Sequence, residues 1–181
     1  MRSTIALLVV IALAAWSGCG ATEPEEAAPN LDFSLVLNGE RWNPTRGPQA
    51  SLSDYGLSVF ADRWLEDRFP LNQRVSFTIP ASKWRGVGVY PLDFGVVDGI
   101  RVYAGMHESD GDAGIARYNP VGGSATREGF EVTRYDGGII EGRFEGVFVV
   151  DPSDAPKKAR VLPDTLRVTD GRFRLVVNDR R

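Results

Sequence analysis

Apolar and polar residues alternate in short segments along most of the chain, and glycine, aspartate or proline separates the segments. Successive side chains of a β-strand point to opposite faces, so this period of two predicts strands with one buried face. The predicted strands are Leu57 to Ala61, Leu71 to Ile79, Val87 to Leu92, Ile100 to Met106, Phe130 to Tyr135, Ile140 to Val150 and Arg172 to Val177. The pattern argues against a helical bundle.

The segment that opens the folded part carries a turn signal. Leu31, Phe33, Leu35 and Leu37 alternate with more polar positions and are followed by Asn38-Gly39. Asn-Gly accepts the two positive φ angles of a type I′ turn, which joins the strands of a tight hairpin. A β-hairpin that returns through Glu40, Arg41 and Trp42 is therefore predicted.

Composition agrees with short strands and tight turns, since the 181 residues include 20 glycines and 11 prolines. We predict an all-β fold, an antiparallel β-sandwich or partly open barrel, formed by residues 31–181 as a single domain. Phe144 and Phe173 are predicted to be buried in its core. Two segments depart from the pattern. Asp62 to Phe69 has helical spacing and predicts one or two helical turns, and the polar segment Asp151 to Arg160, with two prolines, predicts an exposed loop.

The N-terminus has the anatomy of a secretory signal. Met1 and Arg2 precede an apolar run from Ile5 to Trp16, which as a helix would cover about 18 Å of a hydrocarbon core about 30 Å thick. The run is too short to span a membrane and is typical of a cleaved signal peptide, predicted as residues 1–18.

The end of this run, Trp16-Ser17-Gly18-Cys19, resembles the lipobox of bacterial lipoproteins. The resemblance implies cleavage before Cys19 and acylation of Cys19 by palmitate-like chains, which would anchor the protein in a lipid bilayer. Residues 19–30 then form the lipidated cysteine and a flexible acidic tether. The implied location is the bacterial cell envelope, and Gly20 after the cysteine favours the outer membrane. With a net charge of −3, nucleic acid is not a predicted partner.

Four short motifs of the folded part resemble a family of small bacterial lipoprotein domains of unknown function. They are NG-x-x-W at 38–42, G-x-Y at 88–90, I-x-G-x-F at 140–144 and T-(N/D)-G-x-F at 169–173. The resemblance implies an all-β sandwich behind a lipid anchor. It supplies no catalytic residues, because no activity is established for the family.

Residues suited to catalysis are few. His107 is the only histidine, and the only cysteine, Cys19, is assigned to the anchor. A Ser–His–Asp or Cys–His arrangement would therefore depend on His107, and no G-x-S-x-G elbow occurs. We interpret His107 as a solvated residue where a strand ends, and we predict no catalytic residues.

Three carboxylates form the strongest candidate for a metal site. Glu108, Asp110 and Asp112 lie within five residues, interleaved with glycine, and calcium prefers such oxygen ligands. The twelfth position from Asp110 is Val121, however, so the closing bidentate glutamate of a calcium loop is missing. An acidic turn without a metal is the simpler interpretation, and calcium is the only cofactor that the pattern keeps open.

Aromatic side chains offer a candidate ligand surface. Tyr103 and Tyr135 are out of phase with the apolar faces of their strands, so they are expected to be exposed. Exposed aromatics mark binding surfaces, and the ligand would be an envelope protein, a glycan or a peptide.

Two hypotheses about function follow from these residues. The first is a membrane-anchored extracytoplasmic lipoprotein that binds a ligand without catalysis. The alternative is an extracytoplasmic hydrolase that uses carboxylates, with calcium at Glu108, Asp110 and Asp112. The shortage of catalytic residue types favours the first.

Overall fold

The computed structural model describes residues 31–65, 71–92, 103–121, 129–154 and 160–181, except the side chain of Tyr103. Within these ranges the chain forms eleven β-strands and no helix. The strands are β1 Asp32–Leu37, β2 Glu40–Trp42, β3 Gln49–Ser53, β4 Gly56–Trp64, β5 Leu71–Pro80, β6 Gly88–Tyr90, β7 Tyr103–Asp110, β8 Ala113–Pro120, β9 Gly129–Tyr135, β10 Ile139–Val150 and β11 Thr165–Asp179. The predicted all-β class is confirmed.

Hydrogen bonds join the strands in the order β2-β1-β11-β3-β4-β5-β7-β8-β10-β9-β6, and β10 also pairs with β11. The extra pairing closes β3, β4, β5, β7, β8, β10 and β11 into a ring. We call β1, β2, β6, β9, β10 and β11 the front half, and β3, β4, β5, β7 and β8 the back half. The halves are joined at two corners, where β11 pairs with β3 and β10 with β8.

The inner faces of the two halves pack against each other. The ring centroid of Phe77 on β5 lies 4.6 Å from that of Phe144 on β10 and 4.8 Å from that of Phe130 on β9. Phe144 and Phe173 are 1% and 3% exposed, which confirms their predicted burial. Among the described strands one pair differs from the antiparallel expectation, because β3 runs parallel to the end of β11.

Two glycines let the rings approach the backbone of the front half. A Cβ on Gly142 would lie 2.2 Å from the carbonyl oxygen of Glu131 and 2.3 Å from the ring of Phe173. A Cβ on Gly171 would lie 2.4 Å from the carbonyl oxygen of Phe144. Both contacts are too short for any side chain, so aromatic rings occupy the space that these glycines leave.

The predicted hairpin at Asn38-Gly39 is confirmed. Asn38 has φ 50° and Gly39 has φ 87°, as a type I′ turn requires. Leu37 pairs with Glu40, and β2 continues to Trp42.

Several sequence-based boundaries differ from the structure. The helical prediction is wrong at positions 62–64, which end β4 and pair with 72–74 of β5; the remainder of that segment, 66–69, lies outside the described residues. Strand β7 continues to Asp110, so most of the predicted acidic turn is strand. Strands β3 and β8 were not predicted, because each contains only a short alternation of apolar and polar residues.

The predicted signal peptide and tether, residues 1–30, lie outside the described residues. Within the described ranges, no helix is long and apolar enough to cross a membrane.

Candidate functional site

Strand β7 separates two polar regions, because two neighbouring residues face opposite sides of it. His107 lies on the outer face of the back half, between Arg74 of β5 and Arg117 of β8 in the strand register. Glu108 faces the interior and is only 1% exposed. His107 is half-buried in the middle of β7, which corrects its interpretation as a solvated residue at a strand end.

The outer face of the back half carries an open groove of about 840 Å³. Ligand pockets usually have volumes of about 300–1,000 Å³. Hydroxyl side chains line this groove, namely Ser51, Ser58, Ser76 and Thr78. The hydroxyl oxygens of Ser58 and Thr78 are 3.3 Å apart. Each hydroxyl can both donate and accept a hydrogen bond, so the groove presents polar groups without fixed charge along this side.

Two small residues, Ser76 and Gly105, lie next to each other beside His107 in the strand register. Ser76 pairs with Phe60 on one side and with Gly105 on the other. A Cβ on Gly105 would lie 3.1 Å from Nε2 of His107. The glycine therefore leaves the space that the imidazole ring occupies. Phe60, half-buried beside Ser76, also lines the groove.

The two arginines that flank His107 are paired with carboxylates. Nε and Nη2 of Arg74 donate to the two oxygens of Asp62 at 2.7 and 2.9 Å, and its guanidinium lies 4.9 Å from the ring centroid of Phe60. Nη2 of Arg117 lies 3.6 Å from Asp154 and 3.8 Å from Asp151. Each arginine thus has a negative partner nearby, so Arg74, His107 and Arg117 together carry little uncompensated charge.

Burial lowers the pKa of His107 below its ordinary value of 6.5, and the positive charges of Arg117 and Arg74 lower it further, against an opposing effect of Asp154. The imidazole is therefore neutral at neutral pH. In this form one ring nitrogen donates a hydrogen bond and the other accepts one.

On the inner side of β7, the buried carboxylate of Glu108 accepts hydrogen bonds from two partly buried main-chain groups and one buried side chain. The main-chain N–H of Val161 donates to Oε2 at 3.2 Å, and that of Leu162 donates to Oε1 at 3.2 Å. The side-chain amide of Gln73 also donates to Oε1 at 3.2 Å. A buried carboxylate is tolerated when its oxygens are satisfied in this way, and here it fastens the segment before β11 to the sheet.

This buried network extends to both sides of Glu108. Trp42 donates from Nε1 to Oε1 of Gln73 at 3.1 Å, which connects the predicted hairpin to β5. The hydroxyl of Tyr118 lies 3.4 Å from Oε2 of Glu108. Burial, followed by the charge of Glu108, raises the pKa of Tyr118 to about 12. The hydroxyl of Tyr118 therefore stays protonated and remains a hydrogen-bond donor within this network.

The side chain of Arg160 borders the same network and is only 7% exposed. Its Nη2 lies 2.9 Å from Asp164, and the guanidinium lowers the pKa of Tyr118 against the larger raising effects of burial and of Glu108. Within the described part of the chain, Nε and Nη1 of Arg160 have no hydrogen-bond partner.

The three carboxylates of the candidate calcium site do not come together in the structure. Glu108 is held in the interior, whereas Asp110 and Asp112 are exposed at the β7–β8 turn, and Asp112 borders the groove. Among the described residues, no group of three histidine, cysteine, aspartate or glutamate side chains is arranged to hold a metal ion.

Of the two candidate aromatic residues, Tyr135 is not among the residues that line the groove. Tyr135 ends β9 in the front half and is half-buried rather than exposed, because Trp84 packs against it edge-on at 5.4 Å. Trp84 in turn stacks on Tyr90 at 5.9 Å. Tyr103 begins β7 opposite Thr78, and its side chain lies outside the described residues, as does Cys19.

Sequence reasoning missed the groove, although one signal was available. The outward positions of β5 include Arg74, Ser76 and Thr78, whereas the outward positions of β10 include Glu141, Arg143 and Glu145. A strand whose outer face is small and hydroxylated differs from an ordinary charged face. The sequence alone could not predict the strand register, and this register places the outward residues of β5 beside His107 and Ser58.

The chain matches no known protein-family model, and neither a curated protein nor a solved structure matches it. The resemblance to small lipoprotein domains stays a prediction, and function is inferred from the residues of the site.

Proposed function

We propose that this protein is a lipid-anchored extracytoplasmic binding domain. The support comes from the N-terminus, where an apolar run too short to span a bilayer ends in a lipobox-like Trp16-Ser17-Gly18-Cys19. Two or more acyl chains on Cys19 would hold the protein stably at the bilayer, since one chain alone binds only marginally. The 12 residues at 19–30 would separate the domain from the membrane surface.

The ligand site in this proposal is the groove on the outer face of the back half. The observation that carries it is the combination of an open volume of about 840 Å³ with a half-buried, neutral His107 and a row of hydroxyl groups. Surface strands of a purely structural kind carry solvated charges, as β10 does. A groove of ligand size with several convergent polar groups is the usual form of a binding site.

A non-catalytic role fits the chemistry of the groove better than hydrolysis. In the described part of the chain, no hydrogen bond joins the imidazole of His107 to a serine hydroxyl or a carboxylate, as nucleophile activation would require. Glu108, on which the calcium-dependent hydrolase hypothesis relied, has its oxygens occupied in the interior. The proposal therefore assigns binding, and no catalytic residue, to the groove.

The anchor is tested by metabolic labelling with a fatty acid, together with the intact mass of the mature protein. We expect label on the wild-type chain, a mass that begins at Cys19, and recovery in the membrane fraction. The Cys19→Ala variant should lose the label and leave the membrane fraction. Unchanged labelling and fractionation of this variant would reject the anchor.

The groove is tested by thermal shift of the full chain against a panel of sugars, amino acids, dipeptides and nucleotides. A ligand at 100 times its Kd stabilises the folded state by about 2.7 kcal/mol. We expect at least one class to raise the melting temperature of the wild type, with a smaller shift in Thr78→Val. The matched control is Thr133→Val, an exposed threonine on β9 of the front half. A panel without any shift, or shifts equal in the two variants, would contradict the proposed site.

A further inference from the structure

We infer that the groove binds a neutral saccharide, because it pairs compensated charges with hydroxyl groups and an aromatic ring. This inference rests on the groove being the ligand site proposed above and adds the chemical class of the ligand.

The first argument is charge. A site for a carboxylate or phosphate group offers guanidinium forks whose charge is not already neutralised. Here both flanking arginines are engaged, Arg74 by two hydrogen bonds to Asp62 and Arg117 by the carboxylates of Asp151 and Asp154. The neutral imidazole of His107 between them adds no positive charge. An incoming anion would compete with these carboxylates, whereas an uncharged ligand would not.

The second argument is the balance of donors and acceptors. Each hydroxyl of a sugar both donates and accepts, so its best partners are groups that do the same or occur in donor–acceptor pairs. Ser58, Ser76 and Thr78 supply hydroxyls on one side of the groove. Arg74 also lines the groove and adds a donor, since its Nη1 is not used in the pair with Asp62. Such a row suits neighbouring hydroxyls of one ring.

The third argument is apolar surface in the right place. Sugar rings present C–H faces that pack on aromatic side chains, which combine apolar area with a polar edge. Phe60 lines the groove directly opposite Ser76, and Gly105 follows Ser76 on the next strand without a side chain. The guanidinium of Arg74 lies 4.9 Å from the centroid of the Phe60 ring. This contact keeps the aromatic ring next to the Arg74–Asp62 ion pair.

The experiment measures binding of the full chain, purified in detergent, to defined oligosaccharides by isothermal titration calorimetry. The neutral probes are hexamers of α- and β-linked glucose, mannose, xylose and N-acetylglucosamine. The anionic probes are hexagalacturonate, a heparin hexasaccharide and inorganic phosphate. We expect binding of at least one neutral hexamer, with an affinity that changes little between about 0.05 and 0.5 M NaCl, since no net charge is exchanged.

Single substitutions test whether the saccharide binds in the groove. Loss of one groove hydrogen bond should weaken the neutral hexamer by about tenfold, so we expect this drop in His107→Ala and in Thr78→Val. Thr133→Val should bind like the wild type. All three variants are first compared by thermal melting, so that a loss of affinity is read only from folded protein.

Each contrary outcome is distinct. Binding of an anionic probe alone, weakened by salt and by His107→Ala, would overturn the inference that the ligand is a neutral saccharide while leaving the groove as the site. A neutral hexamer that binds equally well to His107→Ala and Thr78→Val would show that saccharides bind elsewhere, and would overturn the inference. Failure of every neutral probe to bind would overturn it as well.

Discussion

The inner and outer sides of β7 use adjacent residues of one acidic segment in opposite ways. Glu108 is a buried charge whose oxygens are taken up by Gln73 and by the main chain of Val161 and Leu162. His107 is half-buried beside an open groove and hydrogen-bonds to no described side chain. The inner residue holds the fold together, whereas the outer residue is left available to a ligand.

The difference shows what decides the role of a polar residue in a sheet. A buried polar group must be fully hydrogen-bonded or it destabilises the fold. An outward group has water as an alternative partner, so its contribution to stability is small and it is free to bind. Variants of the inner side should therefore alter stability, and variants of the outer side should alter binding.

The largest effect is expected from Glu108→Ala. It removes the acceptor of the buried Gln73 amide and of two partly buried main-chain N–H groups, and each unsatisfied buried donor costs about 1–3 kcal/mol. We expect a loss of roughly 3–5 kcal/mol in the free energy of unfolding, measured by urea denaturation. The matched control is Glu131→Ala, whose partner Arg143 is exposed on the front half. Similar losses in the two variants would remove the distinction between the inner and outer sides.

A second, smaller effect on stability is expected when alanine replaces either of two glycines. Gly142→Ala should cost about 1–3 kcal/mol or more, because the new Cβ meets the backbone of β9 at 2.2 Å and a packed ring at 2.3 Å. Gly105→Ala should cost less, because its Cβ at 3.1 Å meets only the imidazole of His107, which is able to rotate into the groove. Thermal melting measures both, and the imidazole NMR signals should shift only in Gly105→Ala. Equal losses would show that the groove face is packed like the core.

A third effect concerns pH. The folded protein holds the pKa of His107 below its ordinary 6.5, so the unfolded chain takes up a proton first as the pH falls. Stability that His107 contributes is therefore present above about pH 6.5 and is lost as the pH drops toward the folded pKa. We expect the difference in the free energy of unfolding, His107→Gln minus wild type, to increase as the pH falls from about 8 to about 5. A difference that stays constant over this interval would place the imidazole in water rather than at a half-buried site.

The smallest effect is expected on the charged outer face of the front half. Arg143 is 71% exposed and pairs with Glu131, and exposed ion pairs contribute about 0–1 kcal/mol. Arg143→Met should change the free energy of unfolding by less than about 1 kcal/mol and leave ligand binding unchanged. A loss as large as that of Glu108→Ala would mean that outward charges also hold this fold together.

Local sequence signals predicted much of the fold. The Asn38-Gly39 turn, the strand ending at Val150 and the burial of Phe144 and Phe173 follow from period and turn chemistry. Strand β8 was missed because the alternation in Ala113–Pro120 is confined to its second half, and the strand is defined by its pairing with β7 and β10. The predicted helix at 62–64 failed because cross-strand pairing, including Asp62 with Arg74, outweighs a weak local preference.

The all-β class, the first hairpin and the side of each long strand that faces the core follow from the amino-acid sequence alone, since they depend on residues close together in the chain. The approach of Glu108 to the main chain at 161–162, more than fifty positions away, and the place of His107 between Arg74 and Arg117 come from the folded arrangement of the strands. Those neighbours are set by strand register, and register depends on how the whole inner face packs.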